Sequence, residues 1–516
     1  MKVCDLGNDG GKVLLVKQGG HLSALGTKCS HYGAPLASGA LGNGRIRCPW
    51  HGACFSLKTG DIEDFPGLDS IPCYKVEVTS NGGVKVRAKK SDLAANKRMK
   101  SMCSRDMNNN TTFVIVGAGG AGQCCAETLR QEGFTGRLVM VSEECVLPYD
   151  RIKLSKQLDA TPEKLQLRNE GFYKEYGIEL MLGKKAIELD TDKKVLTLDD
   201  NSCLNYDSLF LATGSRARKL NIPGIDLKCV FTVRSIADAG AIHKALNAQS
   251  NVVIYGSSFI GMEAATYCIG KVNSVTVVGR SPPFKETLGT ELSDRISQMF
   301  LEKGVKLVIE KTVECFRGDD NGRVKEVVLS DGSTLQADVV ILGLGTTFST
   351  DYLNQSTVKL NSNGSIPVNE YLETNVNSVF AGGDIACAPV LANGGQEATI
   401  GHWQLAHYHG RVAALNMIAT MCQKTSLASV PFFWTVLFGT SFRYAGSGGY
   451  ANTLVVGDVD KLKCAVYYID GDGLVKAVTT VGSDPVAAQF AELLSSGRQL
   501  TKQQLETNPN DWWIQA

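Results

Sequence analysis

"TFVIVGAGGAGQCCAETLRQEGF", residues Thr112 to Phe134, runs an apolar strand into a glycine-rich turn and on into an Ala-bearing helix. The turn is Gly117-x-Gly119-x-x-Gly122, and downstream "LVMVSEE" ends a second strand at Glu143. A lone G-x-G-x-x-G is weak. With a strand before it, a helix after it and an acid at about twenty residues, it becomes a dinucleotide fingerprint. The glycines let a pyrophosphate approach the helix N-terminus, and the carboxylate can hold a ribose hydroxyl. Cys124 and Cys125 on that helix read as packing residues.

Working outward, "NVVIYGSSFIGMEAATYC" repeats the pattern imperfectly. Gly256 and Gly261 keep their places, but the middle glycine is Ser258, whose side chain crowds the position where backbone meets pyrophosphate. The next strand, "SVTVVGR", ends at Gly279-Arg280 instead of an acid. Loss of the carboxylate removes the grip on the adenosine 2′-hydroxyl, and Arg280 could meet a 2′-phosphate. That pattern leans weakly towards NADPH over NADH, against a solvated arginine.

On the N-terminal side, "CSHYGAP" supplies Cys29-x-His31 and "CPWHGACF" supplies Cys48-x-x-His51. Each loop offers one thiolate and one imidazole. Zinc fingers usually pair Cys with Cys and His with His along the chain. The interleaved order suits a [2Fe–2S] cluster with two Cys on one iron and two His on the other. Around these loops, "KVLLVKQGGHLSAL" and "VEVTSNGGVKVRA" alternate as strands broken by Gly/Asn turns, so residues 1–88 read as a small β domain. His21 falls in a turn as a solvated bystander. Residues 89–110 follow as a polar, basic linker. From Arg87 to Asn110 there are seven basic residues against two acids, which reads as a solvated tether or, less readily, as a site for an acidic partner. A flexible coil of this length spans roughly 25–30 Å, enough for one domain to visit another.

Composition narrows the class. At 516 residues the chain exceeds one core. A net charge of +1 gives no broad case for nucleic acid or a membrane surface. The longest apolar runs, such as "VPFFWTVLFGT", fall short of a bilayer span. Sixteen scattered cysteines do not form a secreted disulfide framework. The start shows neither a secretory core nor an amphipathic presequence. An intracellular site, cytoplasmic or mitochondrion-associated, is expected.

The two loops, with Pro49 and Gly52 completing C-P-x-H-G, resemble Rieske domains. Respiratory Rieske proteins add a disulfide between the loops, where this chain has Ala34 and Trp50. They also have Ser and Tyr hydroxyl donors, where it has Ala53 and Phe55. Donors to sulfur stabilise the reduced cluster, so their absence implies a low-potential centre. Cys54 then reads as an ordinary buried thiol.

The remainder resembles two-dinucleotide flavoprotein reductases. "LPYDRIKLSK" is similar to the P-Y-x-R-P-P-L-S-K segment of ferredoxin reductases and apoptosis-inducing factor, with Arg151 and Lys156 at flavin-contacting positions and Ile152 and Lys153 replacing the prolines. "LFLATGS" places Thr213 and Gly214 at the A-T-G strand end. "VFAGGDIA" places Asp384 at the ribityl or phosphate oxygens, and "GHWQLAHYHGRVAALNM" puts Trp403 near the ring. Glu263 matches the acid that pairs with Lys156, the two being the expected catalytic residues.

The whole chain resembles apoptosis-inducing-factor-like proteins with an N-terminal Rieske domain. That implies a small all-β Rieske domain (1–88) and the linker (89–110), followed by a two-dinucleotide-binding α/β flavoprotein reductase. The reductase divides into an FAD-binding part (111–240), an NAD(P)-binding domain (241–366) and a second FAD part (367–426), and an α+β C-terminal domain (427–516) follows. The cofactors implied are FAD, a [2Fe–2S] cluster and NAD(P)H. The implied reaction is NAD(P)H oxidation through FAD to the cluster and on to an unknown acceptor protein, with a pro-apoptotic association. The direction of flow and a homodimer are left open. Disulfide reductases need a C-x-x-x-x-C pair, which follows neither fingerprint. Rieske oxygenases need a separate iron held by two His and a carboxylate. The histidines outside the cluster loops are His21, His243, His402, His407 and His409, and the last three fall in the flavin-covering segment. The alternative is a slow-turnover redox sensor whose flavin state controls conformation or dimerisation, a reading favoured by Ser258.

Overall fold

The computed structural model describes residues 1–7, 11–419 and 423–515. In the N-terminal domain, Lys12–Gln18 and His21–Leu25 pair antiparallel across a two-residue turn in which Gly19 and Gly20 both have positive φ, the tight hairpin that twisted strands prefer. Lys2–Asp5, Cys73–Val78 and Val84–Arg87 complete a five-stranded sheet. A second, four-stranded sheet runs Ala40–Gly42, Arg45–Arg47, Cys54–Ser56, Ile62–Asp64. Leu14, Leu25, Ile46, Phe55 and Ile71 fill the space under the cluster loops.

The two fingerprints build two parallel five-stranded sheets. The first runs Ile178–Leu182, Arg137–Ser142, Thr112–Val116, Ser208–Leu211, Val379–Ala381. Its strands are apolar nearly throughout because helices cover the sheet. The second runs Val230–Thr232, Val339–Leu342, Asn251–Tyr255, Ser274–Gly279, Lys306–Ile309. Val230–Thr232, expected in the first FAD part, thus belongs to the nicotinamide sheet, paired in parallel with Val340–Leu342. Each sheet carries a three-stranded meander, Ala186–Asn205 and Val313–Gln336. The C-terminal domain is a five-stranded antiparallel sheet packed by the helix Val486–Ser495.

The N-terminal domain is seated on the reductase by buried polar contacts. Arg47, fully buried, donates to Glu492 (2.5 Å), Asp64 (3.0 Å) and the Gly52 carbonyl (2.8 Å). Arg45 reaches the other Glu492 oxygen. Asp64 also accepts from Gln404 and Ser429, and Arg168 bridges Asp69 and Glu127. The linker is correspondingly not a free tether. Its backbone pairs Arg98 with Ser70, and its cations meet acids on both flanking domains: Arg98 with Asp61, Lys97 with Asp69, Lys100 with Glu132, Arg105 with Glu179. The basic excess is used within the chain.

Candidate active site

The two fingerprint turns are geometric copies. Gly117 (φ +113°) and Gly256 (φ +121°) sit where a Cβ would strike the Ala212 and Gly343 carbonyls, each at 2.2 Å. Gly122 and Gly261 are pressed onto the carbonyls of Gly117 and Gly256, so that helix and strand pack closely. The copies differ at the third element. A Cβ on Gly119 would meet nothing within 4 Å, whereas Ser258 occupies the equivalent helix-capping position with almost the same backbone angles. Open space at Gly119 is what an approaching pyrophosphate needs, and Ser258 narrows its counterpart.

A cleft of about 280 Å³ opens beside Gly119. Of the residues expected from the sequence, it brings together Gly119, Arg151, Lys156, Gly214, Glu263, Asp384 and Trp403. Lys156 Nζ lies 2.8 Å from Glu263 Oε1, a carboxylate only 4% exposed. Glu263 also accepts from Thr435 (2.6 Å) and from Ser155, so both oxygens are held and the lysine is aimed into the cleft. Arg151 is held by Glu144, by the Tyr149 hydroxyl and by the Arg234 carbonyl. Asp384 accepts from Ser215 (2.7 Å) and Arg234 (3.2 Å). Trp403 starts the helix Trp403–Ile418 and packs on His407. Thr213 spends its hydroxyl on the Ser349 carbonyl. Glu143 stands exposed beyond its strand, paired with Lys185. Gly256, Gly261 and Arg280 lie on the second domain, with Arg280 exposed just after Gly279. Burial holds the rings of His402, His407 and His409 neutral, pushed down to about 4, 3 and 4.

The four cluster-loop residues converge. His31 Nδ1 and His51 Nδ1 are 3.2 Å apart, close to the roughly 3.4 Å between two nitrogens bound at about 2.1 Å to one tetrahedral metal. Burial and neighbouring cations keep both imidazoles neutral, His31 pushed down to about 3, and neutral imidazole is the ligand form. The Cys29 and Cys48 thiols hydrogen-bond to each other, and each is only 1% exposed. That bond and burial push Cys29 up. Burial opposes charge on Cys48 too, but the Cys29 bond, the Trp50 and His51 amides and Arg443 together lower it. Arg443 donates to the Trp50 carbonyl at 2.9 Å. Among the described residues no three His, Cys, Asp or Glu side chains converge on a single ion position. Two thiols and two imidazoles that share no single ion position fit a two-iron cluster, one pair to each iron.

Sequence reasoning left Trp434 without a role. Its ring sits 4.3 Å from His51 and 5.8 Å from His31, and it also lines the cleft. Thr435, Ser155, Arg234 and Phe433 were likewise unassigned. The aromatic run "PFFW" was visible, but only the fold brings it to the seam.

Residues 4–75 match the Rieske [2Fe-2S] domain, and residues 111–410 match the pyridine nucleotide-disulphide oxidoreductases. The chain is 43% identical over 503 residues to apoptosis-inducing factor 3 of Homo sapiens, covering 96% of this chain and 82% of that one. It is 31% identical over 400 residues to rhodocoxin reductase of Rhodococcus erythropolis, covering 76% and 91%. The crystal structure of the covalent putidaredoxin reductase–putidaredoxin complex superposes with a TM-score of 0.74 at 27% identity, covering 79% of this chain and 99% of that one. No helix among the described residues is long and apolar enough to cross a membrane.

Proposed function

The chain belongs to the apoptosis-inducing-factor-like pyridine nucleotide-disulphide oxidoreductases that carry a Rieske domain, and from that premise we propose that it conducts electrons internally, from NAD(P)H through FAD to its own low-potential [2Fe–2S] cluster. It is an NAD(P)H oxidoreductase of ferredoxin-reductase type whose cofactors are FAD and the cluster. Bound flavin supplies the conversion of an electron pair into single electrons. The observation that carries the reading is Trp434, which lines the cleft and packs against the ligand pair.

The remaining roles follow from the side chains. Lys156, held by Glu263, which Thr435 and Ser155 anchor in turn, presents a fixed cation to the cleft. Asp384 and Arg151 bind and orient the polar arm of the cofactor. Cys29, Cys48, His31 and His51 hold the cluster. Arg280 meets the adenosine end of the nicotinamide, favouring NADPH. All fifteen cysteines among the described residues are free, which supports a reducing, intracellular setting. The terminal acceptor is a separate protein. The death-signalling association in the human relative's name extends to this chain as part of the same proposal.

Anaerobic titration with NADPH and with NADH tests the reading, following flavin absorbance and cluster EPR in one sample. Flavin bleaching followed by cluster reduction is expected, with NADPH ahead. Failure of both nucleotides to reduce the flavin overturns the proposal. Ser258 favours a second reading, the redox sensor, for which slow reduction and a long-lived charge-transfer band are the signature.

A further inference from the structure

Each imidazole of the ligand pair has its own nearest aromatic ring. For His51 it is Trp434, which faces the cleft. For His31 it is Tyr32, stacked nearly parallel at 3.8 Å and 17°. The His31 ring is half-buried, and Tyr32 stacked on it is 40% exposed. Its hydroxyl donates to Asp150 Oδ2 at 2.8 Å, while Asp150 Oδ1 caps the Ile152 amide at 3.0 Å. The exposed ring is therefore fixed in place by the loop that also carries Arg151 and Lys156. Lys153, which stands where relatives of this motif have proline, holds its ammonium 5.1 Å from the Tyr32 ring centre.

We infer that Tyr32 is the contact through which the cluster exchanges single electrons with a second molecule, and that this molecule is a one-electron carrier protein with an anionic rim around its redox centre. The inference rests on the reading of Cys29, His31, Cys48 and His51 as cluster ligands. In the outward direction the reduced cluster loses one electron and the oxidised carrier gains one. No bond forms or breaks, and no proton moves, because the phenol keeps its proton while donating it in a hydrogen bond to Asp150. The ring supplies contact and orientation and is not itself oxidised. Trp434 and Tyr32 thus divide the work, one facing the flavin cleft and the other facing solvent. The Lys153 ammonium beside the ring sets partner choice: opposite charge around the contact speeds encounter, and salt suppresses that gain.

The full-length holoprotein, reduced anaerobically with dithionite, is mixed with hexacyanoferrate(III) or hexaamminecobalt(III). Cluster oxidation is followed by stopped-flow absorbance, with freeze-quench EPR confirming cluster content. Hexacyanoferrate(III) is expected to react faster, with a rate that falls as salt rises. Tyr32→Phe, which keeps the ring and loses the clamp to Asp150, retains the rate. Tyr32→Leu loses it severalfold with the EPR signal unchanged. Lys153→Glu slows hexacyanoferrate(III) and speeds the cobalt complex. A Tyr32→Leu protein with intact EPR that is oxidised at the wild-type rate overturns the inference. If leucine lowers cluster content, Lys153→Glu decides alone, and an unchanged preference between the two oxidants overturns the inference. Absence of a cluster EPR signal in the reduced wild type overturns instead the ligand reading on which it stands.

Discussion

Glu492→Gln is expected to loosen the Rieske domain from the reductase without unfolding either. Glu492 is 7% exposed and its two oxygens meet Arg47 and Arg45 separately. Removing one partner of a buried ion pair costs about 3–5 kcal/mol, because the other charge is stranded. Asp64 and the Gly52 carbonyl still hold Arg47 in the variant, which places the cost near the lower end. About 3 kcal/mol is roughly a 150-fold shift in the docking equilibrium. Hydrogen exchange over residues 40–64 reads that shift directly, since these strands meet Glu492 and Gln404 only while the domain is seated. The pH dependence follows from the same contacts. Burial would raise the Glu492 carboxyl, but Arg47 and Arg45 outweigh it and hold it below the usual carboxylate range. The clamp therefore contributes fully above the unfolded carboxylate pKa of about 4.3 and is lost as pH falls through the lower folded value. Unchanged exchange over residues 40–64 in Glu492→Gln would refute the clamp.

Glu263→Gln leaves Lys156 without its anionic partner. A fall of about 10²-fold or more in flavin reduction by NAD(P)H is expected, measured by stopped flow, by comparison with the loss of one preorganised electrostatic group elsewhere. Trp434→Leu is expected to leave flavin bleaching intact and to slow the appearance of the reduced-cluster EPR signal, separating the two stages. Ser258→Gly removes a close approach worth about 1–3 kcal/mol and is expected to tighten nicotinamide binding by roughly 5- to 150-fold in KM. Unchanged KM would show that the serine is accommodated elsewhere.

What was legible from sequence was local chemistry. Cys29, His31, Cys48 and His51 lie in two short loops whose spacing already implies two thiols and two imidazoles, and the structure brings their donor atoms within bonding reach. The glycines were legible for the same reason, since Gly117 and Gly122 answer to contacts within one turn and its adjoining strand. What was hidden depended on distant partners. Arg47 carried no signal in its own short strand, and the approach of Glu492, more than 400 residues away, explains its burial. The linker reads as a tether by composition, yet its cations find acids at Asp61, Asp69, Glu132 and Glu179. Trp434 and Thr435 come from the C-terminal sheet to complete a site whose other members lie hundreds of residues earlier. The first edge of the nicotinamide domain was misplaced because Val230–Thr232 is only three residues long, and its allegiance is set by its pairing with Val340–Leu342.

The central claim is that the cluster and the flavin site act within one chain across a fixed seam. It is tested most directly by mixing holoprotein anaerobically with excess NADPH at a series of protein concentrations and recording cluster reduction by rapid freeze-quench EPR. A first-order rate that does not change on dilution is the predicted result. A rate that falls in proportion to protein concentration, or a cluster that stays oxidised while the flavin bleaches, would contradict it.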